Sequence, residues 1–186
     1  HVDFVPALVP EVLSLYLTFG YIPYPHTIYE QTAKLPPAHY MLVDIPSLEC
    51  RIESYWEPSV LLGSGRRESI EQGVDSLDEL LREGVRRRLV ADVPVGAFLS
   101  GGGDSSLIVS LMAETTSDLK TFSIGFCDEA YDEAPYARAI ADHLGCDHYE
   151  HYVTPEEALE ALVALPEIYD EPFADSSAIP TYLVSR

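Results

Sequence analysis

Between Val95 and Met112 the hydrophobic pattern changes period across seven small or polar residues, Ser100-Gly101-Gly102-Gly103-Asp104-Ser105-Ser106. Before them, Val95–Leu99 is a short apolar run suited to a buried parallel strand. After them, Leu107, Ile108, Leu111 and Met112 give a helix one apolar face. The same rhythm continues on both sides. Ile70, Val74, Leu77, Leu81, Val85 and Leu89 predict an amphipathic helix over residues 68–90, Thr121–Phe126 a strand, Pro135–Leu144 a helix and His148–Val153 a third strand. Pro135 suits a first helical turn and Gly145 a helix end, and Thr154 with Glu157 makes a capping box around Pro155. Strands alternating with helices require right-handed crossovers, so the fold class is α/β, a parallel doubly wound sheet.

The glycine-rich loop therefore sits between a strand and the start of a helix. Glycines let backbone N–H groups approach an anion closely, and a helix N-terminus adds a favourable partial charge. Ser100, Ser105 and Ser106 can donate hydroxyl hydrogen bonds to phosphate oxygens. Asp104 would repel a bare phosphate, so it makes sense with a hard divalent cation between carboxylate and phosphate. No Lys follows the last glycine, so the loop is not a Walker A motif, and its contiguous glycines do not match the dinucleotide fingerprint.

The first sixty residues have another texture. They hold eight of the fourteen prolines. Pro10–Phe19 predicts a short helix ended by Gly20, with Val12, Leu13, Leu15, Tyr16 and Phe19 crowding one side. His39–Ile45 and Cys50–Trp56 predict two strands joined by Pro46-Ser47-Leu48-Glu49. This small helix-plus-hairpin segment reads as an appendage, and Leu61-Leu62-Gly63-Ser64-Gly65-Arg66-Arg67 as its linker to the sheet. The domain reading is 1–60 and 61–186.

Charge narrows the partners. Thirty-one acidic residues face eleven Lys and Arg, a formal net charge of -20, and Lys34 and Lys120 are the two lysines. A chain that tracks phosphates along a duplex needs a basic stripe, so nucleic acid is excluded as a general partner, and an anionic membrane is disfavoured likewise. No apolar run approaches the roughly 18 residues of a spanning helix, and His1-Val2-Asp3 does not open a signal peptide. Cys50, Cys127 and Cys146 show no zinc spacing and read as reduced thiols of a cytoplasmic protein. His148 and His151 lie three apart on a strand and point to opposite faces, which argues against a shared metal. Arg86-Arg87-Arg88 reads as a solvated helix end.

Ser100–Ser106 resembles the SGGxDSS pyrophosphate loop of the N-type ATP-pyrophosphatases. Its flanks resemble the glutamine-dependent asparagine synthetase family: Asp92-Val93-Pro94-Val95-Gly96, Thr121-Phe122-Ser123-Ile124-Gly125-Phe126, Tyr131-Asp132-Glu133 and Asp170-Glu171-Pro172-Phe173-Ala174-Asp175. Lys34-Leu35-Pro36-Pro37-Ala38-His39-Tyr40 and Tyr55-Trp56 resemble the stretch where that family's glutaminase domain ends. The resemblance implies that 1–60 is the end of a glutaminase domain with its connector and that 61–186 is the first part of a synthetase domain of adenine nucleotide alpha-hydrolase-like fold.

It further implies an ATP-dependent ligase. Mg²⁺-ATP adenylates the side chain of aspartate with release of pyrophosphate, and ammonia from glutamine displaces AMP to give asparagine. By position, Ser100, Gly101, Gly102, Gly103, Asp104, Ser105 and Ser106 would cradle pyrophosphate, Asp104 would hold Mg²⁺, and Leu99 and Ile124 would contact the nucleotide. Asp170 and Glu171, and likewise Asp128 and Glu129, are candidates for an acidic pair near substrate, against a reading as surface turns.

Two departures stand out. Gly103 occupies a position where the family usually has an apolar residue, which loosens the loop. Ala38 replaces a usual glycine, an exchange expected to be harmless. The family's N-terminal Cys nucleophile and its second Ser-Gly-x-Gly-x-Asp-Glu loop are not in these 186 residues, so the chain is expected to be an internal fragment, inactive alone. Its truncated sheet has an open edge that a homodimer would cover. The alternatives are a related amidotransferase, β-lactam synthetase-like or polysaccharide-modifying, and a nucleotide-binding module without turnover.

Overall fold

The computed structural model describes residues 5, 7–61, 65 and 69–186. In chain order, a 3-10 turn at Pro10–Val12 leads into α1 (Leu13–Phe19), followed by β1 (His39–Val43) and β2 (Cys50–Ser54). Then come α2 (Ile70–Arg88), β3 (Gly96–Phe98), α3 (Gly103–Ala113), β4 (Lys120–Phe126), α4 (Ala134–Leu144), β5 (Asp147–Val153), α5 (Pro155–Ile168) and α6 (Ala178–Val184). Two compact units result: His1–Arg67 with Ala164–Asp175, and Glu68–Val163 with Ser176–Arg186. Apart from Leu61 and Gly65, the expected linker lies outside the described residues. No helix among the described residues is long and apolar enough to cross a membrane.

In the first unit, Gly20 closes α1 as its cap. The expected apolar side of this helix is not buried: Val12 and the following Ile22 are covered, whereas Leu13 and Phe19 are 42% and 56% exposed. β1 and β2 pair antiparallel, His39 opposite Ser54 and Val43 opposite Cys50, so each strand ends two residues earlier than its apolar run suggested. The turn chemistry sets that end. Asp44 Oδ2 accepts from the Ser47 N–H at 2.9 Å, and the Asp44 N–H donates to the Glu49 carbonyl at 2.9 Å.

Residues 164–175 are held in this unit by Glu171. Its carboxylate accepts from the Ile28 N–H at 2.7 Å and pairs with the Lys34 ammonium, which also donates to the Ile22 carbonyl. The Tyr29 hydroxyl donates to the Asp170 carbonyl at 2.9 Å, and the Ala174 N–H to the Gly20 carbonyl at 2.8 Å. Glu171 is thus occupied in tying two distant stretches of chain together.

The second unit is the α/β sheet. β3, β4 and β5 run parallel in that order, Phe98 opposite Phe122 and Phe122 opposite Tyr149. Ser69 caps α2 by accepting from the Gln72 N–H, while the Gln72 side chain accepts from the Ser69 N–H. The core gathers Val85 from α2, Leu99, Val109, Leu111 and Met112 around α3, Leu119, and Ala137 and Ala141 of α4. Val109, absent from the expected apolar face, is 1% exposed, and its burial contributes about 1.5–3 kcal/mol. Leu107, placed on that face by spacing, is 48% exposed. α3 packs against both α2 and α4, so a single stripe does not describe it. β3 is parallel as expected but not a fully buried strand: Phe98 is 56% exposed on this outer strand among those described, while Val95 and Ala97 pack partly buried against the core and Leu99, just beyond the strand, is buried in it.

Candidate functional site

The Leu99 N–H still donates to the Phe122 carbonyl at 2.9 Å, so the sheet carries the chain to the edge of the loop before releasing it. There the backbone turns sharply at Gly101, with φ +79°. Two serines close the turn. Ser100 Oγ and Ser105 Oγ lie 2.9 Å apart, and Ser100 Oγ accepts from the Gly102 N–H at 3.3 Å. The Ser105 hydroxyl donates to the Gly102 carbonyl at 3.3 Å. α3 then starts at Gly103 without a side-chain cap from Gly102, so the N–H groups of its first turn have no side-chain acceptor there. Asp104 is exposed in that first turn. Ser106 Oγ is buried with no hydrogen-bond partner among the described residues. An orphaned buried hydroxyl costs roughly 1–3 kcal/mol, which is a reason to expect an acceptor from outside the chain.

Beside the loop, at the C-terminal ends of the strands, is a cavity of about 700 Å³. In an open α/β sheet this is the edge where ligands bind. Leu99, Ser100, Ser105 and Ile124 line it, whereas Gly101, Gly102, Gly103, Asp104 and Ser106 are not among its lining residues. Of the acidic candidates, Asp128 lines the cavity and Glu129 does not, while Asp170 and Glu171 belong to the first unit. Glu133 and Tyr131, and Ser176, Ser177, Pro180, Thr181 and Val184 at and within α6, add to the wall, and Phe98, Phe122, Ser123 and Phe126 of the strands complete it. Sequence reasoning did not name α6, because nothing in its spacing distinguishes a helix that walls a cavity from one that merely packs. Neither Lys nor Arg is among the described residues of the lining.

A buried polar ladder joins β4 to β5, and its Ser123 also lines the cavity. Thr121 Oγ1 lies 2.8 Å from His148 Nδ1, and Ser123 Oγ lies 3.2 Å from His148 Nε2. Glu150 follows on the same face of β5 and takes two hydrogen bonds from Arg138 of α4, one of them at 2.6 Å from Nε. That hydrogen bonding holds the Glu150 carboxyl below its ordinary range. His151 points to the other side and pairs with Glu157 at 3.2 Å, so the two histidines part as their spacing required. No group of three or more His, Cys, Asp or Glu among the described residues is arranged to hold a metal ion. All three cysteines are free thiols, and burial pushes the Cys146 thiol up.

Comparison with known proteins places this geometry in context. The sequence model of the family described as asparagine synthase matches residues 76–186. The chain is 41% identical, over 95% of its length, to a Methanocaldococcus jannaschii protein named "Putative asparagine synthetase (glutamine-hydrolyzing) 2", and covers 34% of that relative. It is 31% identical to asparagine synthetase (glutamine-hydrolyzing) 1 of Bacillus subtilis, over 95% of this chain and 27% of the relative. With the human asparagine synthetase (glutamine-hydrolyzing) it shares 35% identity, over 63% of this chain and 22% of the relative. The chain thus spans about a third or less of the length of these curated relatives.

Proposed function

The chain belongs to the asparagine synthase family, and from that membership we propose that its cavity and glycine-rich loop form the ATP site of an amide-forming ligase. The observation that carries this reading is the buried, partnerless hydroxyl of Ser106 inside a loop that opens α3 beside the cavity. A pyrophosphate group at the start of α3 would meet the free N–H groups of its first turn and the hydroxyls of Ser100, Ser105 and Ser106. Leu99 and Ile124 would flank the nucleotide.

Asp128 and Glu133 make the lining acidic, Asp104 adds a carboxylate in the first turn of α3, and the lining offers no cationic side chain among the described residues. A hard cation that brings its own charge and keeps several waters fits one carboxylate plus phosphate oxygens, so Asp104 is the residue that would hold Mg²⁺. When bound, the ion neutralises charge on the leaving pyrophosphate. The chain's own contribution would be the N–H groups of the first turn of α3 and the loop hydroxyls, donating to the charge that collects there. In the whole protein, the acceptor is proposed to be the side-chain carboxylate of aspartate and the nitrogen donor to be ammonia released from glutamine.

Calorimetric titration of the chain with ATP and with pyrophosphate tests the site. Mg²⁺ should tighten both, and Asp104→Ala should remove that gain. Equal affinity with and without Mg²⁺ in the unmutated chain removes Asp104 from the reading, and no affinity for either ligand overturns the site itself. Asparagine and pyrophosphate formation by the full-length protein tests the acceptor.

A further inference from the structure

We propose that Asp132 is the positioning residue of the glycine-rich loop, acting through the first turn of α4. The proposal deepens the ATP-site reading and rests on it for what the loop holds. Asp132 is half-buried between β4 and α4. Its Oδ1 accepts from the N–H of Phe126, the last residue of β4, and from the N–H of Ala134, the first of α4, each at 3.2 Å. One carboxylate oxygen therefore sets the distance between the strand end and the helix start.

The helix has no other side-chain cap. Glu133, its N-cap residue, contributes no side-chain hydrogen bond. Pro135 has no N–H to satisfy, and the Tyr136 N–H turns back to the Glu133 carbonyl at 3.1 Å. Ala134 is the one residue of this start whose N–H relies on a side-chain acceptor, and Asp132 supplies it. The carboxylate also lies at the end of α4 where negative charge is favoured.

The loop leans on that same turn. A Cβ at Gly101 would fall 2.6 Å from the Cβ of Tyr136 and 2.7 Å from the Ala137 nitrogen. The backbone at Gly101 thus touches the backbone of α4 with no side chain between them to absorb a shift. Ala134 and Ala137 are fully buried, so the turn has no slack on its inner side either. Asp128, Tyr131 and Glu133, on the connection that Asp132 ties, line the cavity. Loss of the Asp132 carboxylate frees the turn that supports the loop and the cavity wall beside it.

Hydrogen exchange across the full chain, with ATP and pyrophosphate titrations, tests this. In Asp132→Ala, exchange at residues 102–107 should rise on the order of tenfold, with β4 before Phe126 unchanged, and affinity for both ligands should fall on a similar scale. Asp132→Asn keeps an oxygen at the same place and should recover most of both. Should Asp132→Ala not fold, Asp132→Ser, which leaves a capping hydroxyl, carries the same comparison. Unchanged exchange at 102–107, or a rise shared equally by all elements, overturns the proposal. If the unmutated chain binds neither ligand, the ATP reading fails while the exchange pattern still decides the role of Asp132.

Discussion

A methyl group added at Gly101 would meet Tyr136 and Ala137 well inside contact distance, on a backbone at φ +79°. One added at Gly103 would meet nothing within 4 Å, and Gly103 is not in the left-handed region. The two glycines should therefore respond oppositely. Gly101→Ala should displace the loop and abolish pyrophosphate binding, whereas Gly103→Ala should stabilise the chain by about 0.4–1 kcal/mol by restricting the unfolded state. Denaturant unfolding and calorimetry on the two variants check this. Ala38 is a third case. Its exchange for the family's glycine was expected to be harmless, yet the residue holds φ +58°, a conformation costing a non-glycine residue about 1–2 kcal/mol. After the greater unfolded-state freedom of glycine is subtracted, Ala38→Gly should stabilise by about 0.5–1 kcal/mol in the same unfolding measurement.

Among the elements, Arg138 on α4 and Glu150 on β5 give a pH signature. Hydrogen bonds from Arg138, with smaller help from the charges of Arg138 and His148, hold Glu150 below the ordinary glutamate value of 4.5. A depressed folded value means the pair's contribution is complete above the unfolded value and is lost as pH falls through the folded one. Urea unfolding should therefore show the unmutated chain ahead of Glu150→Gln at neutral pH, with the gap closing in acid. A constant gap would contradict the assignment. The ends of α4 and α5 were legible because Gly145 caps the former with φ +70° and Thr154 with Glu157 caps the latter by reciprocal bonds at 2.9 and 3.2 Å. Such chemistry is local, so spacing reveals it. Which faces are covered was less legible: Val109 and Leu107 exchange their expected places because burial depends on neighbours far along the chain. For the same reason the loop residues could be named from sequence, but α6 and the buttress under Gly101 could not.

At the scale of the whole molecule, Lys34 and Glu171 join stretches that sequence texture assigns to different domains. Lys34→Met would leave the Glu171 carboxylate, 17% exposed, accepting from the Ile28 N–H without the ammonium beside it, at a cost of about 1–3 kcal/mol. Adding Glu171→Gln to that variant should cost less than the two single changes summed, since the pair acts as one. Equilibrium unfolding of the three variants reads the coupling directly, and strict additivity would mean that the two charges contribute separately.

The discontinuity of the first unit has a consequence for the order in which a ribosome can complete it. Residues up to 67 emerge before the sheet, but the segment Ala164–Asp175 that packs with them follows only after the whole of Glu68–Val163. At about 5–20 residues per second this is a wait on the order of ten seconds. During it the Ile28 N–H and the Lys34 ammonium have no Glu171, and Ile22, destined to be 1% exposed, lacks its late-arriving neighbours. The second unit's three strands, with α2, α3 and α4, are by then already made. The stretch made before the sheet is thus finished only after the sheet has emerged, and a nascent chain stalled before Glu171 would carry that stretch unfinished.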